Sequence, residues 1–559
     1  DITLIILIVG WIFVVVWIPI VIATNRKTHP RALFVLFFAE MWERFSYYGM
    51  RALLTLYMAK VLFEGLADAE TQAIGIYGAY TSMVYLFPVI GGLIADRIFG
   101  FRKAILWGGL LMMIGHFTLA LEGMMFEGNI TLFFLSLALI IVGNGYFKPN
   151  ISSFLGEFYE RNDPRKDGAF TIFYMGVNIG AFLSTLTCGY VGEQISWHLG
   201  FGLAGIGMAV GLIVFWIFSR GFGEKGLPPA PKPGKATGFM RDLPVYAGSL
   251  VMIPVVAYFL NIDTVLTIIL TVISIAVLVF FAVMGFVIKR RNTPYEEDNT
   301  TSQEDQLINE IGGEQGTQPQ VASTSSVKEK NKVAAERLWV VPVLFVFHAV
   351  FWALFEQAGG SLTLFTERNV DRMILGSEIP ASVFQSLNPL YIILLAPVFS
   401  WIWLRLNKAK KEPSTPMKFV LGLVQLALGF AIIVVGARVF ATEGTVPVIF
   451  LALMYLFHTT GELSLSPVGL SMVTKLSPAK IVGFVMGAWF LSISLANIMA
   501  GQIGKLAAVE NIGEDVSKME TLTLYSSTYL TWGVYVVLGA AAVLFVLVPT
   551  LRKWMHGIH

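Results

Sequence analysis

One apolar segment carries the residues whose types and spacing are best suited to chemistry. It reads FFAEMWERFSYYGMRALL, and its polar side chains are Glu40, Glu43, Arg44, Tyr47, Tyr48 and Arg51. At about 100° per residue in a helix these fall in one stripe roughly 140° wide. Two carboxylates and two guanidiniums are costly in hydrocarbon, so we expect the stripe to line a polar cavity or to pair with other helices. The alternative is a self-neutralising charge network that only fixes packing.

Three further charges also fall inside apolar segments. Lys148 stands in IVGNGYFKPN, where the protonation of a buried lysine responds to its neighbours, although its side chain has the length to reach the membrane interface. Glu356 stands in HAVFWALFEQAGG and Glu462 in YLFHTTGELSLSPVGLS, and neither has a basic neighbour within one helical turn. Each therefore needs a distant partner, either a charge in the first half of the chain or the amine of a substrate. Positive charges in the first half and lone carboxylates in the second would orient a zwitterion.

A weaker set of polar and aromatic residues is consistent with a pocket lining and equally with helix packing. Its members are Tyr85, Tyr174, Asn178, Trp352, Asn388, Trp489 and Phe490. His348 and His458 also lie in apolar segments, where a lone histidine is more often structural than a proton site.

The composition shows which elements must position these residues. Of the 559 residues 56% are hydrophobic and 14% charged, whereas a soluble chain has about 25% charged residues. Apolar runs of about 20 residues, enough to cross a bilayer, recur along the chain. We expect fifteen spans near 2–22, 32–58, 73–96, 104–122, 131–157, 167–190, 198–219, 243–261, 264–288, 338–360, 382–405, 417–440, 446–473, 481–506 and 524–551.

The basic residues orient these spans. Most of the 39 lysines and arginines fall in one set of alternate loops, which are therefore cytoplasmic. This orientation places Asp1 outside and the C-terminus inside. Because Asp1 is not a usual start, we expect a further segment to precede it.

The single cysteine, Cys188, excludes an intrachain disulfide and a cysteine-rich metal site.

A change of composition divides the chain into two halves. Residues 291–337 are polar and poor in aromatics, and such a segment buries too little apolar surface to order itself. We expect five parts: an extra N-terminal span with a basic loop (1–30), an N-terminal six-helix bundle (31–220), an inserted helical hairpin (221–290), a flexible cytoplasmic linker (291–337) and a C-terminal six-helix bundle (338–559).

Several motifs resemble one known family. EMWERFSYYG at 40–49 resembles the ExxERFxYYG motif of the proton-dependent oligopeptide transporters, a branch of the major facilitator superfamily. FYMGVNIGA at 173–181 and GGLIADRIFGFRKA at 91–104 are similar to two further family signatures, and FEQ and GELSLSPVG fit its seventh and tenth core helices. The resemblance covers the chain from about Arg31 onward. It implies an all-α membrane protein with the two-bundle major facilitator fold, twelve core helices and a hairpin between the halves. The family pattern does not include the span at 2–22, which we expect as one extra N-terminal span.

The resemblance also implies residue roles. Arg51 and Lys148 would receive a peptide carboxylate, and Glu462 the peptide amine. The pocket lining would be Tyr47, Tyr48, Tyr85, Asn178, Trp352 and Asn388, to which we add Trp489. The proton-coupling group would be Glu40, Glu43, Arg44, Lys148 and Glu356, with Glu356 paired to Arg51 at a gate. The neighbourhood IYGAYTSMVYLFP has no histidine, so the carboxylates would carry the coupling.

The expected function is import of di- and tripeptides with protons by alternating access, in a bacterial inner membrane. We expect protons as the coupling ion, no cofactor, no nucleic-acid partner and a functional monomer. The alternatives are another small solute, such as nitrate or a modified amine, and, from other classes, a receptor or an intramembrane enzyme. The chain has no HExxH or GxSxG motif for the last of these. The span at 2–22 is either a signal anchor or a helix that packs on the bundle and restricts a moving part.

Overall fold

Long apolar helices make up most of the chain. The computed structural model describes residues 2–126, 128–160, 163–230, 237–293, 295, 324–478, 481–509 and 516–558. The helices of the first half are α1 (Ile2–Asn25), α2 (Arg31–Tyr57), α3 (Ala69–Ile94), α4 (Gly100–Met125), α5 (Ile130–Gly156), α6 (Lys166–Gln194) and α7 (Trp197–Phe218). The inserted hairpin is α8 (Gly238–Leu260) and α9 (Asp263–Arg290).

The second half begins with α10 (Thr324–Phe355) and the short α11 (Ser361–Asn369). It continues with α12 (Leu387–Lys408), α13 (Thr415–Val435), α14 (Val448–Leu476), α15 (Val482–Lys505), α16 (Lys518–Thr528) and α17 (Val537–Trp554). A π-helical stretch, Tyr529–Val536, joins the last two into one span. Short strands lie in the loops: β1 (Val370–Asp371) pairs in parallel with β4 (Val446–Pro447), and β2 (Met373–Ile374) pairs antiparallel with β3 (Ser377–Glu378).

The membrane-spanning helices agree with the sequence prediction. Within the described residues, 13 helical stretches are long and apolar enough to cross a membrane. Helix α2 is not among them because its charged stripe lowers its hydropathy, and α3 and α4 count as one continuous stretch, Ala69–Met125. With α2 included and that stretch divided, the fifteen predicted spans are all present.

The predicted linker is shorter than its composition indicated. Helix α10 begins at Thr324, so 324–337 is helical, whereas most of the remaining linker, 296–323, lies outside the described residues. The reason is a helical face formed by Val327, Asn331, Ala335 and Leu338, all buried. Asn331 also donates to the carbonyl of Thr293 at 3.0 Å, which attaches this turn to the end of the hairpin.

Two large apolar cores correspond to the two halves of the chain. In the first half α2 packs on α6 and α7, and α4 packs on α5; in the second α13 packs on α14 and α17. The halves meet closely where α3 crosses α15. A Cβ on Gly78 would lie 2.8 Å from the Cα of Gly501, so this approach requires glycine.

The halves are joined at the ends that the basic residues place outside. Thr55 donates to the carbonyl of Gly359 at 2.6 Å, Arg368 lies 2.6 Å from Glu70, and Lys60 pairs with Glu367. At the cytoplasmic ends, the described residues include no hydrogen bond or ion pair between the two bundles. The contacts at the outer ends close that side of the interface between the bundles.

The hairpin helices are attached to different halves. Asp242 of α8 pairs with Lys103 of the first half. Asp263 at the start of α9 pairs with Lys505, and Thr267 accepts a hydrogen bond from Gln502 at 3.2 Å, both partners lying on α15 of the second half. The hairpin thus spans the interface between the bundles.

Helix α1 packs on the first half. The indole of Trp11 donates to Thr187 on α6 at 3.0 Å, and its ring lies 6.3 Å from Trp42 and 6.2 Å from Phe45 on α2. The backbone amide of Ile2 donates to Ser377 of the second half at 3.3 Å. The extra span therefore contacts both halves.

Candidate functional site

The polar stripe of α2 is buried inside the protein. The exposed fractions of Glu40, Glu43, Arg44 and Arg51 are 3%, 0%, 5% and 7%. Helix α2 lies between α6 and α7 and also reaches α3 and α5. Neighbouring helices therefore cover the charges, and each charge needs a partner there.

Two carboxylates share one guanidinium at the cytoplasmic half of the stripe. The Nε atom of Arg44 lies 2.7 Å from Glu40 Oε1 and 2.9 Å from Glu43 Oε2. Asn144 on α5 donates to Glu43 Oε1 at 3.1 Å. The second oxygen of Glu40 is buried and has no hydrogen-bond partner in the described chain. If either carboxyl took up a proton, Arg44 would still form an ion pair with the other carboxylate. The cluster is therefore chemically able to bind and release a proton.

Lys148 is close to this cluster along α5 but is not paired with it. Its Nζ lies 3.7 Å from the centre of the Tyr85 ring on α3, a cation–π contact. In the part of the chain that the structure describes, no carboxylate oxygen lies within 4.0 Å of Lys148. The ammonium is therefore available to an anionic ligand or to a rearranged carboxylate.

Arg51 joins the two halves of the molecule. It forms an ion pair with Glu356, the pairing that the resemblance implied, and its Nε donates to the Tyr77 hydroxyl at 2.5 Å. Its guanidinium carbon also lies 5.6 Å from the ring centres of Tyr48 and Tyr77. Glu356 thus has the distant basic partner that its sequence surroundings required.

Tyr77 is a candidate site residue that sequence reasoning missed. It is one of several tyrosines in IYGAYTSMVYLFP, and only its contact with Arg51 distinguishes it. Gly359 leaves room for it, because a Cβ there would collide with the Tyr77 hydroxyl. Tyr80 was missed too: its hydroxyl, like that of Tyr47, is buried without a hydrogen-bond partner in the described residues. Such hydroxyls are suited to a polar ligand.

The lone carboxylate of the second half is held by an amide. Asn388 at the start of α12 donates to Glu462 on α14 at 2.9 Å and to Thr459 at 3.1 Å. Glu462 has no cationic nitrogen within 4.0 Å among the described residues. A buried carboxylate without a counter-charge attracts a cation, and here the candidate is a ligand amine.

The aromatic candidates of the second half form a hydrogen-bonded cluster around a histidine. Trp352 donates to His348 at 2.9 Å, and the other ring nitrogen of His348 lies 2.7 Å from the Ser492 hydroxyl. The rings of His348 and Trp489 are centred 4.2 Å apart. His348 is thus fixed on both sides, and His458 packs on Phe430 with ring centres 4.7 Å apart.

The remaining candidates are less clearly placed. Asn178 donates to the carbonyl of Tyr174 in its own helix at 3.0 Å, and Tyr174 is 46% exposed. Phe490 is half-buried. In the described residues, no group of three His, Cys, Asp or Glu side chains is placed to hold a metal ion.

Comparison with known proteins places this architecture in a family. Residues 102–519 match the family model described as the POT family. The chain is 36% identical over 540 residues to the uncharacterized transporter YclF of Bacillus subtilis, and 36% identical over 537 residues to the peptide transporter YePEPT of Yersinia enterocolitica. Each alignment covers 95% of this chain and 96% of the relative.

Solved structures agree with the sequence comparison. The crystal structure of peptide transporter POT in complex with sulfate superposes with a TM-score of 0.74 at 34% identity, covering 95% of this chain and 96% of that one. A POT family transporter in complex with 5-aminolevulinic acid superposes with a TM-score of 0.72 at 30% identity, covering 94% and 97%. The fold is thus the two-bundle fold of the major facilitator superfamily, and the chain is a multi-pass membrane transporter, not an enzyme. It belongs to the POT family.

Proposed function

We propose that the protein imports di- and tripeptides together with protons across a bacterial inner membrane, by alternating access of its two bundles. In this proposal it works as a monomer, without a cofactor, and protons are the coupling ion. The support from comparison is that YePEPT is named a peptide transporter and that a 32% identical relative from Proteus mirabilis is named dipeptide and tripeptide permease A.

The observation that carries the proposal is the separation of unpaired charges between the halves. The ammonium of Lys148 in the first half and the carboxylate of Glu462 in the second both lack an ion-pair partner within the described residues. A short peptide has a carboxylate at one end and an amine at the other. Binding such a zwitterion would satisfy both charges and draw the halves toward it.

Proton coupling would follow from two groups of carboxylates. Protonation of Glu43 would free part of Arg44, and protonation of Glu356 would release Arg51 from the second half. Arg51 would then be free for the peptide carboxylate, and the outer contact would weaken. Proton binding and opening toward the outside would thus be linked through one ion pair.

A substitution of Glu462 tests the substrate assignment. Glu462→Gln keeps the hydrogen bond with Asn388 but removes the charge. The apparent affinity for a free-amine dipeptide is expected to fall about tenfold or more, because a hydrogen bond to a charged group contributes at least about 1.4 kcal/mol of binding free energy. The measurement is competition against a labelled dipeptide in proteoliposomes, with the same dipeptide N-acetylated as the matched ligand. The acetylated peptide should compete equally with both proteins.

Other outcomes would favour another solute. Equal losses for both peptides would remove Glu462 from amine recognition. Competition by nitrate or by 5-aminolevulinic acid, with no competition by dipeptides, would replace peptides with one of those solutes.

A further inference from the structure

A second contact closes the outer side of the interface, at a seam distant in sequence from the Arg51–Glu356 pair. Glu193, one residue before the end of α6, accepts hydrogen bonds from two backbone amides of the second half. Its Oε1 lies 2.8 Å from the nitrogen of Ser382, and its Oε2 lies 3.2 Å from the nitrogen of Ala381. These amides open the helical turn Ala381–Ser386, which continues directly into α12.

The first amides of a helix have no partner within the helix and carry its positive dipole end. Pro380, which precedes the turn, contributes no amide hydrogen. A carboxylate from the other bundle therefore satisfies groups that the second half cannot satisfy locally. In the described residues Glu193 has no cationic nitrogen within 4.0 Å, so these two amides are its principal partners.

The surroundings confirm a tight seam between α6 and this turn. A Cβ on Gly189 would lie 2.6 Å from the Ser382 hydroxyl and 3.4 Å from Val383. Lys60 and Glu367, which act on Glu193 at longer range, pair with each other and largely offset one another. In the alternating access proposed above, opening of the outer side would separate α6 from the turn, and both hydrogen bonds would be lost in that movement.

The geometry points to Glu193 as a positioning residue that holds the outer side closed and fixes the start of α12. This inference rests on the alternating access proposed above. The same helix carries Asn388 a short distance along, and Asn388 holds Glu462. Release of Glu193 would thus free the outer seam and loosen the support of the proposed amine site in one movement.

A cysteine-accessibility experiment tests this role without measuring peptide transport. Val383 is 5% exposed and lies in the seam, so Val383→Cys in a Cys188→Ser background reports its opening. Intact cells are treated with a membrane-impermeant maleimide. Because a hydrogen bond to a charged group is worth roughly a tenfold change in an equilibrium, adding Glu193→Ala should speed labelling about tenfold or more.

Two further variants keep the test decisive. Glu64→Ala removes an exposed outer carboxylate that forms no hydrogen bond or ion pair with the second half among the described residues, and it should label within about twofold of the parent. Glu193→Gln retains one accepting oxygen and should label at an intermediate rate; it replaces Glu193→Ala if that variant fails to reach the membrane. Labelling of the Glu193 variants at the rate of Glu64→Ala would overturn the proposal. Faster labelling in a protein that does not transport peptides would retain it and reject only the peptide substrate.

Discussion

At the scale of single residues, the α2 stripe divides into two chemically different parts. Glu40, Glu43 and Arg44 form a cluster within the first half, whereas Arg51 is bound to Glu356 of the second half. The first part can change its charge without moving a helix. The second part cannot lose its partner without weakening the contact between the halves.

Glu43→Gln tests the first part. The substitution keeps the shape and the contact with Asn144 but removes the proton-accepting carboxylate. Uptake driven by a proton gradient should fall about tenfold or more, because a typical coupling free energy of about 1–3 kcal/mol corresponds to a factor of about 5–150. Peptide exchange without a gradient should continue. Glu64→Gln, in an exposed outer loop, is the matched control. Gradient-driven uptake at the parent rate would remove Glu43 from the coupling role.

Glu356→Gln tests the second part against an exposed ion pair. The Arg51–Glu356 pair is buried, and removing one partner of such a pair costs about 3–5 kcal/mol in unfolding free energy. The Lys60 side chain is 41% exposed, so Lys60→Ala should cost less than about 1 kcal/mol. Unfolding in detergent, followed by tryptophan fluorescence, compares the two. Equal losses would mean that the buried pair makes no special contribution.

Candidate site residues could be predicted from the sequence where they are charged. Charged residues stand out in apolar segments, so Glu40, Arg51 and Glu462 became candidates from the sequence, and the structure shows that all three are buried. Tyr77 and Asn144 were not, because a tyrosine or asparagine in a membrane helix is ordinary. Only a partner distant in sequence, Arg51 for one and Glu43 for the other, gives them a role.

At the scale of elements, the helices were predictable because each is a long apolar run. The prediction was wrong where a helix has a polar sequence. Residues 324–337 are charged enough to suggest a linker, yet every third or fourth side chain is buried. The contacts of α1 could not be predicted, because the sequence of an apolar span does not indicate which other helices it packs against.

Those contacts show that α1 packs on the bundle, and its effect on a moving part stays a prediction. Trp11 loses one hydrogen bond and two ring contacts in Trp11→Ala, which together are worth about 2 kcal/mol. We expect this variant and the deletion of residues 1–25 to change the uptake rate of a protein that still folds and reaches the membrane. Phe13→Ala, on the exposed face of α1, is the control. Unchanged uptake after the deletion would return α1 to the role of an anchor.

At the scale of the whole molecule, two bundles touch at their outer ends and share a site of separated charge. The two halves and the hairpin between them were predictable from the change in composition and the motifs. The contacts between the outer ends were not, because pairs such as Lys60–Glu367 join residues that are distant in sequence.

The central claim is that a proton gradient drives peptide uptake, and transport into proteoliposomes measures it directly. Purified protein is reconstituted, and uptake of a labelled zwitterionic dipeptide is followed with and without an inwardly directed proton gradient. The account predicts accumulation above the external concentration only with the gradient, and its loss when a protonophore is added. Dipeptide uptake that is indifferent to the gradient would contradict it.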